Sequence, residues 1–149
     1  MQWKPNVTVA AIACKDGKYL LVEEDADGQI VFNQPAGHLE EGESLQDAVK
    51  REVLEETRWH FEPESLIGVY LHPNPGLGIT YLRFCFAGTC TGEDMARELD
   101  TGIIRTVWMS REELEMHREK MRSPMVLQCI EDYLSGSRYS LDILNDYLL

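Results

Sequence analysis

The chain is short of positive charge. Lys and Arg number 14 against 26 Asp and Glu, a formal charge of −12 over 149 residues. A nucleic-acid groove needs clustered cations, so a nucleic-acid partner is not expected. A small phosphorylated ligand remains compatible, because divalent cations neutralise carboxylates and phosphates at one spot. Long apolar runs are also missing. No stretch approaches the ~20 apolar residues of a membrane span, so no membrane partner is expected. VTVAAIAC, with Lys4 upstream, imitates a leader segment ending in Cys, but it is too short and too weakly charged in front and reads as a first strand. A cytoplasmic location is expected. Cys14, Cys85, Cys90 and Cys129 show no Cys-x-x-Cys spacing and have no His at zinc-finger distance. They read as buried free thiols in a reducing compartment. Repeats and low-complexity segments are absent too. Hydrophobic content of 44% with 27% charged residues is ordinary for a globular protein, and the length suits one domain over 1–149 with its own core.

Along the chain, Val7–Ala13 is β-branched and apolar, Lys15-Asp16-Gly17 is a turn signal, and Tyr19–Val22 opens a second strand. Asp25-Ala26-Asp27-Gly28 is a further turn. It opens like a calcium loop, but Ile30 stands where such a loop needs Gly and no Glu closes it. Ile30–Phe32 forms a short strand leading into Pro35-Ala36-Gly37. Leu66–Leu71 is a strand, Pro73–Gly78 a loop by virtue of its prolines and glycines, and Ile79–Phe86 a strand rich in β-branched and aromatic residues. Thr91–Thr101 is polar and reads as a surface loop, and Ile103–Met109 as a last strand. Ser110 caps a helix beginning at Arg111, and another helix runs from about Pro124, in its first turn, to Leu134, stopped by Gly136. Tyr139, Leu141, Ile143, Leu144, Tyr147 and Leu148 make the tail apolar enough to dock. Trp3, Trp59 and Trp108 read as core. The sum is α/β, a mixed sheet with helices on both faces.

The informative segment is GHLEEGESLQDAVKREVLEETRW, Gly37 to Trp59. Ser44 with Asp47 three residues on is a capping signal, so a helix starts near Leu45. On a 3.6-residue wheel Leu45, Ala48, Val49 and Val53 form the packing stripe, and Glu52, Glu55 and Glu56 fall on the same side. Gln46, Asp47, Lys50 and Thr57 take the outward face. A solvated charge run would show the reverse. Burying such acids unpaired costs several kcal/mol, and Arg51 alone does not balance three. Clustered carboxylate oxygens suit Mg²⁺ or Mn²⁺. The same spacing also fits an ion-paired helix end beside the core.

These residues resemble the box of the Nudix hydrolase family, G-x5-E-x7-R-E-U-x-E-E-x-G-U, where U is bulky and apolar. Gly37, Glu43, Arg51, Glu52, Val53, Glu55, Glu56 and Trp59 fill it in register, and Arg58 stands in place of the last Gly. FNQPAG resembles the segment that precedes the box, with Ala36 replacing one Gly. KPNVTVAAIA, NQPAGHLE, the RSP at Arg122–Pro124 and SGSRYSL resemble the bacterial NudJ phosphatase subgroup.

The resemblance implies the Nudix α/β/α sandwich and hydrolysis of a small-molecule diphosphate by a monomer or homodimer. It implies Glu52, Glu55 and Glu56 as metal ligands, joined by the carbonyl of Ala36. Arg51 and Glu43 resemble the family's orienting ion pair, though helix-end electrostatics would place them equally. Gly37 lets the backbone turn into the helix. Glu55 or Glu52 is expected as the base that activates water, with Glu93, Glu98 and Asp100 behind them. For the organic moiety Asn33 and Gln34 precede the metal loop, with Phe32 beside them and His72 and Asn74 closing a neighbouring strand. Arg83, inside an apolar strand, is either a phosphate or carboxylate partner or an edge-strand charge. The subgroup favours a Mg²⁺-dependent phosphatase acting on nucleoside di- and triphosphates and thiamine-type pyrophosphates. A dinucleotide or sugar-nucleotide pyrophosphatase and a non-catalytic ligand sensor are the alternatives.

Overall fold

The computed structural model describes residues 1–148. Seven strands follow the order β1 (Asn6–Lys15), β2 (Lys18–Ala26), β3 (Gln29–Asn33), β4 (Ala36–His38), β5 (Trp59–Asn74), β6 (Ile79–Glu93) and β7 (Ile103–Ser110). Helix α1 (Leu45–Thr57) precedes β5, and α2 (Arg111–Met116) and α3 (Met125–Leu134) follow β7. The sheet runs β3-β2-β1-β6-β5, with β4 on β1 and β7 on β2. Only β1 and β6 pair in parallel, Asn6 opposite Tyr81 through Ala13 opposite Gly88, so the sheet is mixed.

The period-2 alternation of β1 divides the core between two faces. Val9, Ala11 and Ala13 face α1 with Leu20 and Phe86, meeting Ala48, Val49 and Val53. Ala10 and Ile12 face the other way with Tyr19, Leu21 and Cys85, meeting Leu114 of α2 and Val126, Leu127, Cys129 and Ile130 of α3. The result is an α/β/α sandwich. Among the described residues no helix is long and apolar enough to cross a membrane.

Several elements differ from the expectation. β5 begins at Trp59 rather than Leu66 and continues through Pro73 and Asn74, which face Thr80 and Ile79. Pro63 and Pro73 are tolerated because β5 is an edge strand, with its register shifting between Pro63 and Ser65. The hairpin loop shrinks to residues 75–78. β6 extends to Glu93, so Thr91–Glu93 is strand and the acidic loop begins at Asp94. Ala36–Gly37 is not loop but part of β4. Pro124 is the N-cap of α3 rather than a first-turn residue.

Side chains depart as well. Thr57 is buried, not outward: its hydroxyl donates to Val53 O at 2.6 Å and accepts from Trp59 N–H at 3.1 Å, closing the end of α1. Cys14 is exposed and Cys90 half-buried, while Cys85 and Cys129 are buried, and all four are free thiols. Trp3 is exposed, whereas Trp59 and Trp108 pack edge to face at 6.1 Å. In the tail Tyr139 bridges to Leu66 through its backbone and Leu141 and Leu144 dock, but Ile143, Tyr147 and Leu148 are exposed.

The N-cap of α1 is as expected, Ser44 Oγ accepting from Asp47 N–H at 3.1 Å. At the other end Arg58 is the C-cap in the left-handed region, φ 67° and ψ 4°, its N–H donating to Leu54 O at 2.9 Å. A residue with a Cβ there costs roughly 1 kcal/mol, which Gly avoids. Its guanidinium does not serve the box acids, whose ion pairs run to Arg51. Arg58→Gly relieves the local strain but enlarges the entropy of the unfolded chain. The expected net change in urea-unfolding free energy is within about 1 kcal/mol, with turnover within a few-fold of the wild type. A large loss of turnover with the fold intact would place Arg58 in the substrate's path.

Candidate active site

Arg51 is the hub of the box. Its guanidinium meets Glu43 in two parallel bonds, Nε to Oε2 at 3.0 Å and Nη2 to Oε1 at 2.7 Å, the strongest geometry such a pair can adopt. It also donates to Glu52 at 2.8 Å, to Glu55 at 3.2 Å and to His38 O at 2.9 Å. Glu43 in turn accepts from Glu40 N–H at 2.8 Å, which ties the loop before α1 to the helix. The hydrogen bonds from Arg51 hold the Glu43 carboxyl below its ordinary range and hold the guanidinium firmly charged.

Glu56 is outside this arrangement. It is buried one turn along from Glu52 and accepts only from Ala36 N–H, at 2.9 Å. Burial, reinforced by Glu52, Glu24 and Asp100, pushes its carboxyl up to about 9. Glu52 is also raised, by burial against the pull of Arg51. Gly37 is required here for a reason other than a turn. A Cβ on Gly37 would lie 2.1 Å from the Glu52 carboxyl carbon, so the strand is bare where the acid rests on it.

Glu52 and Glu56 open into a cavity of about 420 Å³, which Ala36, Gly37, Asn33 and Arg83 also line. Glu55, Arg51 and Glu43 stand behind this wall rather than in its lining. Gln34 is buried beneath it, its Nε2 donating to Val126 O at 2.7 Å and its Oε1 accepting from Arg83. Arg83 is not an edge-strand charge: β6 lies between β1 and β5. His72 and Asn74 line the cavity, while Phe32 packs in the core. Asp100 is tied to the end of α1, its N–H donating to Glu55 O at 3.0 Å. Glu93 and Glu98 are exposed. Sequence reasoning passed over Glu24 and Arg122, a 2.6 Å ion pair on the cavity wall, together with Thr8, Tyr81 and Met125. The RSP motif pointed toward Arg122; nothing local marks Glu24 apart from its neighbours.

Among the described residues no three His, Cys, Asp or Glu side chains converge at metal distance. Glu52 and Glu55 are turned onto Arg51, and Glu56 onto Ala36. The chemistry of the set nevertheless fits a hard divalent cation: all-oxygen donors, two of them buried acids, and a glycine cradle beside them.

Comparison with known proteins agrees. A family model described as "NUDIX domain" matches residues 4–128, and the chain belongs to that family. "Phosphatase NudJ" of Escherichia coli strain K12 is 38% identical over 145 residues, covering 97% of this chain and 94% of the relative. A solved "NUDIX hydrolase from Nitrosomonas europaea" is 54% identical, with TM-score 0.95, covering 97% of this chain and 98% of its own. A Francisella tularensis bifunctional NMN adenylyltransferase/ADP ribose pyrophosphatase, complexed with AMP and a Mn ion, shares the fold at TM-score 0.75 and 19% identity, covering 90% of this chain and 42% of its own. The chain is a Nudix hydrolase, homologous to a phosphatase.

Metal-free protein has a pH signature. An unfolded Glu titrates near 4.5 and folded Glu56 near 9, so folding favours the protonated acid. Its stabilising contribution is full below about 4.5 and is lost as pH rises through about 9. In EDTA, melts between pH 5 and 9 should show falling stability for the wild type and a flatter profile for Glu56→Gln. Parallel profiles would show that Glu56 does not titrate in this window.

Proposed function

We propose that this chain is a Mg²⁺-dependent phosphatase of nucleoside di- and triphosphates and thiamine-type pyrophosphates, with Mn²⁺ as substitute. The observation that carries the reading is Glu56, a buried acid without a cation, beside Glu52 at the wall of a cavity of ligand size. The name of the relative, a phosphatase, supports terminal phosphate as the group released.

Glu52, Glu55 and Glu56, with the carbonyl of Ala36, would hold the divalent cation. When bound, it neutralises the phosphoanhydride and lowers the pKa of bound water. Arg51, locked onto Glu43, orients Glu52 and Glu55 and limits their mutual repulsion. Glu55 or Glu52 takes the proton of the attacking water as its oxygen joins phosphorus and the anhydride P–O bond breaks. Asp100, on the loop tied to the end of α1, is the next candidate base. Asn33, Gln34 and Arg83 stand on the side that receives the organic moiety. The substrate is a small-molecule diphosphate, and one Nudix domain carries the whole site.

Glu55→Gln or Glu56→Gln keeps the side-chain shape and removes the charge. Each should fold normally and lose at least ~100-fold in kcat with Mg²⁺, the scale of removing a catalytic charge contact. Near-normal turnover in either would remove that residue from the ligand set. With a nucleoside triphosphate, inorganic phosphate should appear before any monophosphate accumulates, and the diphosphate should be cut in turn. Pyrophosphate as the sole early product would identify a nucleotide pyrophosphohydrolase instead.

A further inference from the structure

Arg83 is a buried cation with no carboxylate ion pair among the described residues. It is 8% exposed, lines the cavity, and its Nη2 donates to the neutral amide of Gln34. Its Nε has no hydrogen-bond partner among the described residues, and its side chain also meets the Cys129 thiol, which the hydrogen bond from Cys85 and the charge of Arg83 pull below its ordinary range. Arg122, the other arginine of the cavity, is paired with Glu24. A guanidinium buried in this state favours a ligand that brings an acceptor to it.

Gln34 fixes where that guanidinium points. Val126 O accepts only, so the Gln34 amide must present its NH₂ to α3 and its oxygen to Arg83. With Gln34 almost fully buried, the amide orientation is set by the fold and the planar group of Arg83 is held ready. On the same cavity Asn33 Oδ1 is buried without a donor. Both unpaired atoms are sealed beneath the lining, so a ligand meets Arg83 through the part of the side chain that lines the cavity.

The place of Arg83 in the sheet separates it from the box acids. Thr8 of β1 pairs with His38 of β4 on one side and with Arg83 of β6 on the other. Two strand spacings, roughly 10 Å, thus lie between the backbone of Arg83 and the strand on which Glu52 and Glu56 rest. The acidic wall suits the metal-bound diphosphate. Leu77, Tyr81 and Met125 also line the cavity. A phosphate gains nothing from such apolar walls, and an alkyl chain nothing from a guanidinium.

We propose that Arg83, positioned by Gln34, is the specificity-determining residue for the organic half of the substrate, accepting a planar heterocycle through a ring nitrogen or carbonyl. The assignment rests on the diphosphate hydrolase reading for the position of the phosphates. It is tested with a matched pair of uncleavable ligands in Mg²⁺: the α,β-methylene analogues of ADP, CDP, GDP and UDP, and methylenediphosphonate, which has the phosphate end alone. By calorimetry, at least one nucleoside analogue should bind the wild type more tightly than methylenediphosphonate. Arg83→Gln should weaken that analogue at least 10-fold while methylenediphosphonate stays within twofold. Arg83→Lys, which keeps the charge and loses the planar fork, should show the same split and serves if the Gln variant does not fold. Parallel weakening of both ligands, unchanged binding of both, or no preference for a nucleoside analogue in the wild type would overturn the assignment. The expected split, with a wild type that hydrolyses no nucleoside diphosphate, would support the assignment and overturn nucleoside diphosphates as substrates.

Discussion

The arrangement depends on one imbalance: four box acids against a single arginine. Arg51 binds Glu43 in a fork and reaches Glu52 and Glu55, which exhausts its planar donor geometry. Glu56 is left with a backbone N–H as its partner. Without a metal, burial then favours its neutral form. On the proposed reading, a divalent ion bound there would restore the charge that the fold withholds.

The scaffold makes that imbalance geometrically stable. Val49 and Val53 pack on the same side of α1 that carries Glu52 and Glu56, so apolar burial holds the acids against the sheet. β4 lies over them with Gly37 bare of a side chain, and its register with β1 fixes where the cradle sits. The Ser44 cap and the left-handed Arg58 terminate the helix at both ends without a continuing chain crossing the acids. The neighbouring strands then bring polar groups from β3 and β6 to the same cavity.

Much of this was legible from local spacing. The register of α1, its Ser44 cap, the inward Glu52 and Glu56 and the Ser110 cap of α2 all follow from the 3.6-residue period and from capping chemistry. Other features were misread because tertiary context overrides local preference. Pro73 reads as a breaker yet sits in β5, because an edge strand has positions whose N–H faces no partner. Thr57 reads as polar surface yet is buried, because its hydroxyl meets two backbone groups at the turn into β5. Trp3 reads as core but is left exposed at the start of the chain.

What the sequence by itself determined is the local chemistry: a capped helix carrying acids and one arginine at spacings of one to five residues, where covalent connectivity dictates geometry. Whether Arg83 was an edge charge or an interior cation, why Gly37 must be glycine, and that Glu24 meets Arg122 across 98 positions were decided only by the tertiary structure. The reason is physical. A helix or a turn sets its own neighbours through backbone hydrogen bonds a few residues apart, whereas a cavity wall is assembled from strands and helices that meet only when the sheet has twisted, paired and buried its two faces.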